Sequence, residues 1–340
     1  MSIEVDAEWL KARPRIVVSR CLGFDACRWN GEKLNCEFVE SLKPHVDFKT
    51  ICPECEIGLG VPRRPVRLVA PEGSRQGNSV DMSSVQLVQP SSGLNVTKEM
   101  QDASSTMLDR VGPPDGFLLK HRSPSCGPLD VRIYRSADDG MVAGKGAGLF
   151  AWNVSSRHPD LPVEDEGRLR NFLIREHWMT AVFAIARLRC VAQIGRMRHL
   201  VEFHARHKYL LMANSQEGLR RLGKIVAKGS DRTAGETIDE YLSVFPGIIS
   251  RRSQTPSLIN ALQHVFGHFS SDIEPAERQY FLDLIEDYRR GATPLCVMVA
   301  ILRSWAERFD SDYIRNQTLL RPYPESLSSL GDTGKGRTLS

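Results

Sequence analysis

The 340-residue sequence has no run of about 18 apolar residues, so no membrane-spanning helix can be read from it. Its opening stretch, Met-Ser-Ile-Glu-Val-Asp-Ala-Glu, is acidic and lacks the apolar core that a signal peptide requires, which makes cytoplasm the expected compartment. No internal repeat is present. The net charge of +4 is too small to establish a polyanionic partner by itself, although an uneven distribution can still create a basic face. Only one Cys-x-x-Cys pair occurs, Cys52 and Cys55, whereas structural zinc sites favour two such pairs.

What the chain does have is length and apolar content. At 340 residues it exceeds the size at which single cores stop growing, and its 41% hydrophobic content is ample for burial, so two domains are expected. Residues 15–19 (Arg-Ile-Val-Val-Ser) read as a short buried strand after Pro14, residues 47–51 as a second, and 117–120 (Phe-Leu-Leu-Lys) as a third. Between them, helices are expected over 33–42 and 97–111, with possible short strands at 66–69 and 85–88. This alternation argues for an α/β domain with a mostly parallel sheet. Residues 136–168, with glycines at 140, 144, 146 and 148, read as a closing loop and linker. Beyond them the pattern becomes helical: 168–194, 196–214, 219–228, 233–245, 255–269, 275–290 and 293–309, with Pro256 and Pro275 suited to first turns and Gly291 to a C-cap. The second half is therefore an all-α domain. The polar end, 325–340, reads as a mobile tail.

Eight cysteines in a reducing compartment suggest metal or thiol chemistry rather than disulfides. Cys190 and Cys296 sit in apolar helical contexts and are expected in the core, while Cys36 lies in an expected helix. Three cysteines end apolar runs: Cys21 after Val18-Ser19-Arg20, Cys52 after Ile51, and Cys126 after Lys120-His121-Arg122-Ser123-Pro124-Ser125. Ligand crevices of parallel sheets lie beyond the carboxyl ends of the strands, so these three thiols are expected to share one crevice and to leave a fourth metal position open. Thiolates suit zinc or iron–sulfur clusters, and distant cysteines in separate loops fit a cluster better.

Three motifs in matching order resemble the thiouracil desulfidase domain family over roughly residues 14–155: Val18-Ser19-Arg20-Cys21-Leu22-Gly23 with Cys27-Arg28-Trp29-Asn30-Gly31, Cys52-Pro53-Glu54 with Gly58-Leu59-Gly60-Val61-Pro62-Arg63, and Lys120-x-Arg122-Ser123-Pro124-Ser125-Cys126-Gly127. The resemblance implies a [4Fe-4S] cluster bound by Cys21, Cys52 and Cys126, whose fourth iron takes sulfur from a thiocarbonyl base. It also implies acid–base and substrate-positioning roles for Glu54 and Ser123. Cys55 follows the second motif directly and stays open as a replacement ligand, as does Cys27, which matches a recurring family cysteine in a context that reads as a turn.

The second half resembles the YbgA-type helical domain through residues 204–215 (His-Ala-Arg-His-Lys-Tyr-Leu-Leu-Met-Ala-Asn-Ser), Leu222-Gly223 and residues 284–294, although Asn214 stands where that family often has histidine. The domains are thus read as 1–155 for the desulfidase, 156–190 for a linker and connecting helix, and 191–324 for the helical part. Fusions of this kind resemble enzymes that remove sulfur from 4-thiouridine in tRNA, the helical part gripping the RNA. From residue 196 to 228 eight basic side chains face only Glu202 and Glu217. Arg206, Lys208, Arg220, Arg221 and Lys224 are the expected RNA contacts, with His199, His204 and His207 nearby and Tyr209 a core residue. The expected partner is thiolated tRNA, with no membrane and no obligatory protein partner. Two alternatives remain: a desulfidase of free thiouracil or thionucleosides, and a non-catalytic cluster sensor or RNA-binding regulator.

Overall fold

The computed structural model describes residues 8–71, 80–138 and 140–328. The acidic opening stretch over 1–7 and the tail from 329 to 340 lie outside the described residues. The chain divides into two compact units, one of residues 13–178 and the other of residues 8–12 with 179–328. No helix among the described residues is long and apolar enough to cross a membrane.

In chain order the first unit contains β1 (Arg15–Ser19), α1 (Glu37–Leu42), β2 (Asp47–Ile51), α2 (Pro53–Glu56), β3 (Arg67–Val69), β4 (Gln86–Gln89), β5 (Leu94–Asn95), α3 (Thr97–Val111), β6 (Gly116–Leu119), β7 (Val131–Tyr134), β8 (Val142–Gly146), α4 (Leu149–Arg157) and β9 (Val163–Asp165). A wholly parallel sheet runs β2-β1-β6-β9, with Ile16, Val17 and Val18 of the inner strand β1 buried on both faces, as parallel sheets require. A second, mixed sheet runs β5-β4-β3-β7-β8. One apolar core joins Val17, Phe117 and Leu119 of the parallel sheet to Leu68, Leu87 and Ile133 of the mixed one, with Met100, Met107 and Leu108 of α3 and Phe150 and Val154 of α4 between.

The three expected strands of the parallel sheet are present, and the helix expected over 97–111 matches α3. Two expectations are corrected. The helix expected from Lys33 starts at Glu37 because Leu34 is drawn into extended pairing, its N–H donating to the Cys21 carbonyl at 2.9 Å. Cys36 accordingly precedes α1 and is half-buried. Residues 136–168 are no simple loop: they carry β8, α4 and β9. Their glycines serve close packing, since a Cβ on Gly146 would meet Met82 Sδ at 2.6 Å and Ile133 at 3.0 Å.

The second unit is helical. Bridging the junction is α5 (Phe172–Ile194), and then come α6 (Met197–Arg206), α7 (Lys208–Asn214), α8 (Gln216–Ala227), α9 (Ala234–Ile249), α10 (Thr255–Phe266), α11 (Pro275–Arg289), α12 (Leu295–Arg308) and α13 (Asp312–Arg315). The helix expected over 196–214 breaks at His207. Pro256 and Pro275 occupy first turns, and Gly291 has the left-handed φ of +77° that follows a helix end. Cys296 is exposed, not buried, because the inward stripe of α12 runs through Met298, Leu302, Trp305 and Ala306 and leaves it off that face. Cys190 is half-buried. Of the expected tail, Glu325–Leu327 forms a short 3-10 turn with Leu327 buried.

Candidate functional site

The parallel register aligns the carboxyl ends of three strands: Ser19 pairs with Ile51, and Val18 with Leu118. Just beyond them, Arg20 N–H continues the ladder to the Ile51 carbonyl at 2.7 Å, and Lys120 N–H donates to Ser19 Oγ at 2.9 Å. The chain then turns away three times, and a cavity of about 350 Å³ opens between the turns. Cys21, Cys27, Cys52 and Cys126 line it together with Glu54, Arg63 and Ser123. The three strand-end cysteines are therefore brought together, and so are both residues expected to act on the substrate.

Cys27 also belongs to this thiol group. The turn occupies Arg28–Gly31, with Gly31 N–H donating to the Arg28 carbonyl at 2.9 Å, while Cys27 itself is buried and hydrogen-bonds to the sulfurs of Cys21 and Cys52. Its contact with Cys21 pushes its thiol pKa up, opposed by Cys52. Contact with Cys27, then burial, raises that of Cys52, and burial raises those of Cys126 and Cys55. The thiols of Cys52 and Cys55 both approach the Cys27 carbonyl, at 3.7 and 3.8 Å.

Among the described residues no three Cys, His, Asp or Glu converge tightly enough to hold a single metal ion. Thiols on separate loops around one cavity are the kind of donor set that suits an iron–sulfur cluster, in which each thiolate meets a different iron. Two guanidiniums face the sulfurs. Burial alone would lower the pKa of Arg20, but its contacts with Cys27 and Cys55 outweigh that and raise it, and Arg63 Nη1 lies 3.8 Å from Cys55 Sγ. Ligand thiolates would find charge compensation there.

Glu54 is the buried carboxylate of the cavity. It sits in α2, whose first turn follows Cys52 with Pro53 at a first-turn position, so the sequence that ends β2 also aims the side chain. Its Oε1 accepts from Ser125 Oγ at 2.8 Å and its Oε2 from Arg63 Nε at 2.7 Å. Arg63 Nη1 donates further to the Cys27 and Gly60 carbonyls, both at 3.0 Å. For Arg63 too, burial opposes its charge, and Glu54 outweighs the burial.

Ser123 shapes the third loop. Its Oγ accepts from the N–H groups of Ser125 at 3.3 Å and Cys126 at 3.1 Å, and its hydroxyl, like that of Ser19, hydrogen-bonds to the Cys126 sulfur. The loop is held from behind by the start of α4: Gly148 N–H donates to the Gly127 carbonyl at 2.7 Å, Leu149 N–H to Pro124 at 3.1 Å and Ala151 N–H to Ser125 at 3.2 Å. A Cβ on Gly148 would lie 2.5 Å from the Ser125 carbonyl, so only glycine permits the contact. Lys120 Nζ pairs with Glu166, which also accepts from His121 N–H at 2.7 Å.

The expected RNA contacts divide. Arg220, Arg221 and Lys224 are exposed along α8 at helical spacing, whereas Arg206 is committed to Glu202 at 2.7 Å and Asn316 at 2.9 Å. Lys208 Nζ lies over the Tyr209 ring at 5.2 Å. His199 and His207 are buried and unavailable to a ligand, and His204 bonds Tyr241 at 3.0 Å. Tyr209 is buried as expected. Arg63, Ser125 and Trp29 carry no expected role although all three stand within the family motifs, and only the fold shows that Arg63 and Ser125 reach Glu54.

A parallel sheet ending in a cavity lined by four cysteines, with a buried carboxylate among them, is the architecture of an α/β domain whose site is built from thiols. A family model described as 2-thiouracil desulfurase matches residues 16–166, and one described as a protein of unknown function, DUF1722, matches residues 208–324. The protein YbgA of Escherichia coli (strain K12) is 27% identical over 152 residues, which are 43% of this chain and 88% of that protein. YbbK of Bacillus subtilis (strain 168) is 30% identical over 141 residues, 40% of this chain and 86% of that protein. A solved structure described as the [4Fe-4S]-dependent thiouracil desulfidase TudS is 29% identical, covering 46% of this chain and 93% of its own, with a TM-score of 0.34. The chain belongs to the 2-thiouracil desulfurase family and carries a YbgA-type helical domain after it.

Proposed function

We propose that the chain is a [4Fe-4S]-dependent, non-redox desulfidase that converts 4-thiouridine in tRNA to uridine and releases sulfide. The observation that carries this reading is the shared cavity of Cys21, Cys52, Cys126 and Glu54. Cys21, Cys52 and Cys126 are the residues that would hold the cluster, each in the segment that follows a different strand of one sheet, with Cys27 beside them. When bound, such a cluster would supply a soft Lewis acid that polarises the C=S bond.

The chain's own residues do the rest. Ser123 and the backbone of its loop position the base. Glu54, oriented by Arg63 and Ser125, takes a proton from a water molecule as its oxygen attacks the ring carbon. The water oxygen becomes the carbonyl, the sulfur leaves carrying the water's protons as hydrogen sulfide, and no electrons are exchanged. The exposed Arg220, Arg221 and Lys224 of α8 supply a basic face suited to an RNA backbone.

The family's description favours a second reading, free thiouracil as the substrate. One experiment separates the two. Anaerobically purified full-length protein is incubated, without an electron donor, with thiolated tRNA or with free thiouracil, and loss of thiocarbonyl absorbance and sulfide release are followed. The expected result is turnover of tRNA that falls with salt, and a triple Arg220→Glu, Arg221→Glu, Lys224→Glu variant with a salt slope lower by about 3, or roughly 1 per lost phosphate contact. Unchanged thiolated tRNA alongside consumed thiouracil would establish the second reading.

A further inference from the structure

Two side chains of the cavity lining have no part in holding or reacting with the thiol group. Trp29 is 46% exposed, an unusual position for so large an apolar surface, and it belongs to the lining. It sits within the Arg28–Gly31 turn, whose Gly31 has a φ of +76°. The turn is fixed from inside, because Arg63 N–H donates to the Trp29 carbonyl at 2.7 Å while the Arg63 side chain holds Glu54. The indole is thus presented on a rigid support connected to the reacting carboxylate.

Arg122 faces the same cavity from the other motif. It is exposed, and its guanidinium pairs with no described residue. Its φ of +54° lies in the left-handed region that a non-glycine residue adopts at a cost, a strain that recurs at ligand-binding sites. An aromatic face and an uncommitted guanidinium on one cavity suit a base with an attached phosphate: every base offers a π-face for stacking, and arginine pairs phosphate with two parallel hydrogen bonds.

We infer that Trp29 and Arg122 form a nucleotide-recognition rim, the indole stacking on the thiolated base or its neighbour and the guanidinium binding the adjoining phosphate. This rests on the nucleic-acid reading above and names its local determinant: the site takes a nucleotide in preference to a free base.

The test uses cluster-loaded full-length enzyme with thiolated tRNA, 4-thiouridine 5′-monophosphate, 4-thiouridine and 4-thiouracil, together with equilibrium binding of the monophosphate read by tryptophan fluorescence. Trp29→Ala is expected to weaken binding and raise KM for monophosphate and tRNA roughly tenfold, with Trp29→Phe largely restoring both. Arg122→Ala is expected to raise KM for the monophosphate but not for 4-thiouridine, with the change falling on KM more than on kcat. Iron and sulfide content equal to the parent protein shows that the variants fold. If tRNA is consumed and both variants keep the parent KM and binding, the rim is wrong while the nucleic-acid reading stands. If the parent prefers 4-thiouracil and leaves tRNA untouched, that reading falls and the rim with it.

Discussion

At the scale of single residues, the site depends on one ion pair. Side chains of Arg63 and Glu54 are only 5% and 11% exposed, so removing one partner strands a buried charge, while replacing both by uncharged groups is far milder. Arg63→Ala is expected to cost about 3 kcal/mol in denaturant unfolding and to abolish turnover. A double Glu54→Gln, Arg63→Met variant should recover most of that stability and none of the activity. The shared cavity of Cys21, Cys52, Cys126 and Glu54 was readable because each stands in a short motif that follows a strand. Arg63 was not, since its contact with Glu54 depends on how the Gly58–Pro62 segment folds back. Nor was Cys27 fully readable, for its Asn30-Gly31 neighbourhood does turn, but the turn begins one residue later and leaves the thiol inside.

At the scale of elements, the parallel sheet was legible because β-branched and aromatic runs of strand length are bounded by Pro, Gly and cysteine loops. Likewise α3 was legible from Met100, Met107 and Leu108 on one face. The region 136–168 was misread for a physical reason: glycine signals a turn in isolation, yet here Gly146 and Gly148 allow β8 and α4 to pack closely on other chain segments. Gly148 makes this testable. A Gly148→Ala substitution must displace the Ser125 carbonyl, and with it the loop carrying Cys126 and the hydroxyl that bonds Glu54. Lower iron and sulfide content per chain, with far-ultraviolet circular dichroism unchanged, is the expected outcome. A parent-like cluster content would show that the α4 contact is dispensable.

At the scale of the whole molecule, the helical unit is expected to lose stability in acid. His207 breaks the long helix expected over 196–214, donating Nδ1–H to the Phe203 carbonyl at 2.8 Å and stacking on the Phe203 ring at 3.9 Å. Burial holds its pKa well below the usual 6.5, so the folded chain keeps it neutral where the unfolded chain binds a proton. Its contribution is fully present above about pH 6.5 and is lost as pH falls below that, at about 1.4 kcal/mol per pH unit. Urea titrations at pH 7.5 and 5.5 should show the loss, and His207→Leu should flatten the slope. The same core contains Trp9, buried, with its ring 5.6 Å from that of Phe203. Residues 8–12 therefore belong with the helical unit although residues 13–178 intervene. Engineering follows from this: a clone cut at the junction would yield a helical fragment missing its own first piece, and only a graft that restores residues 8–12 would return a whole one.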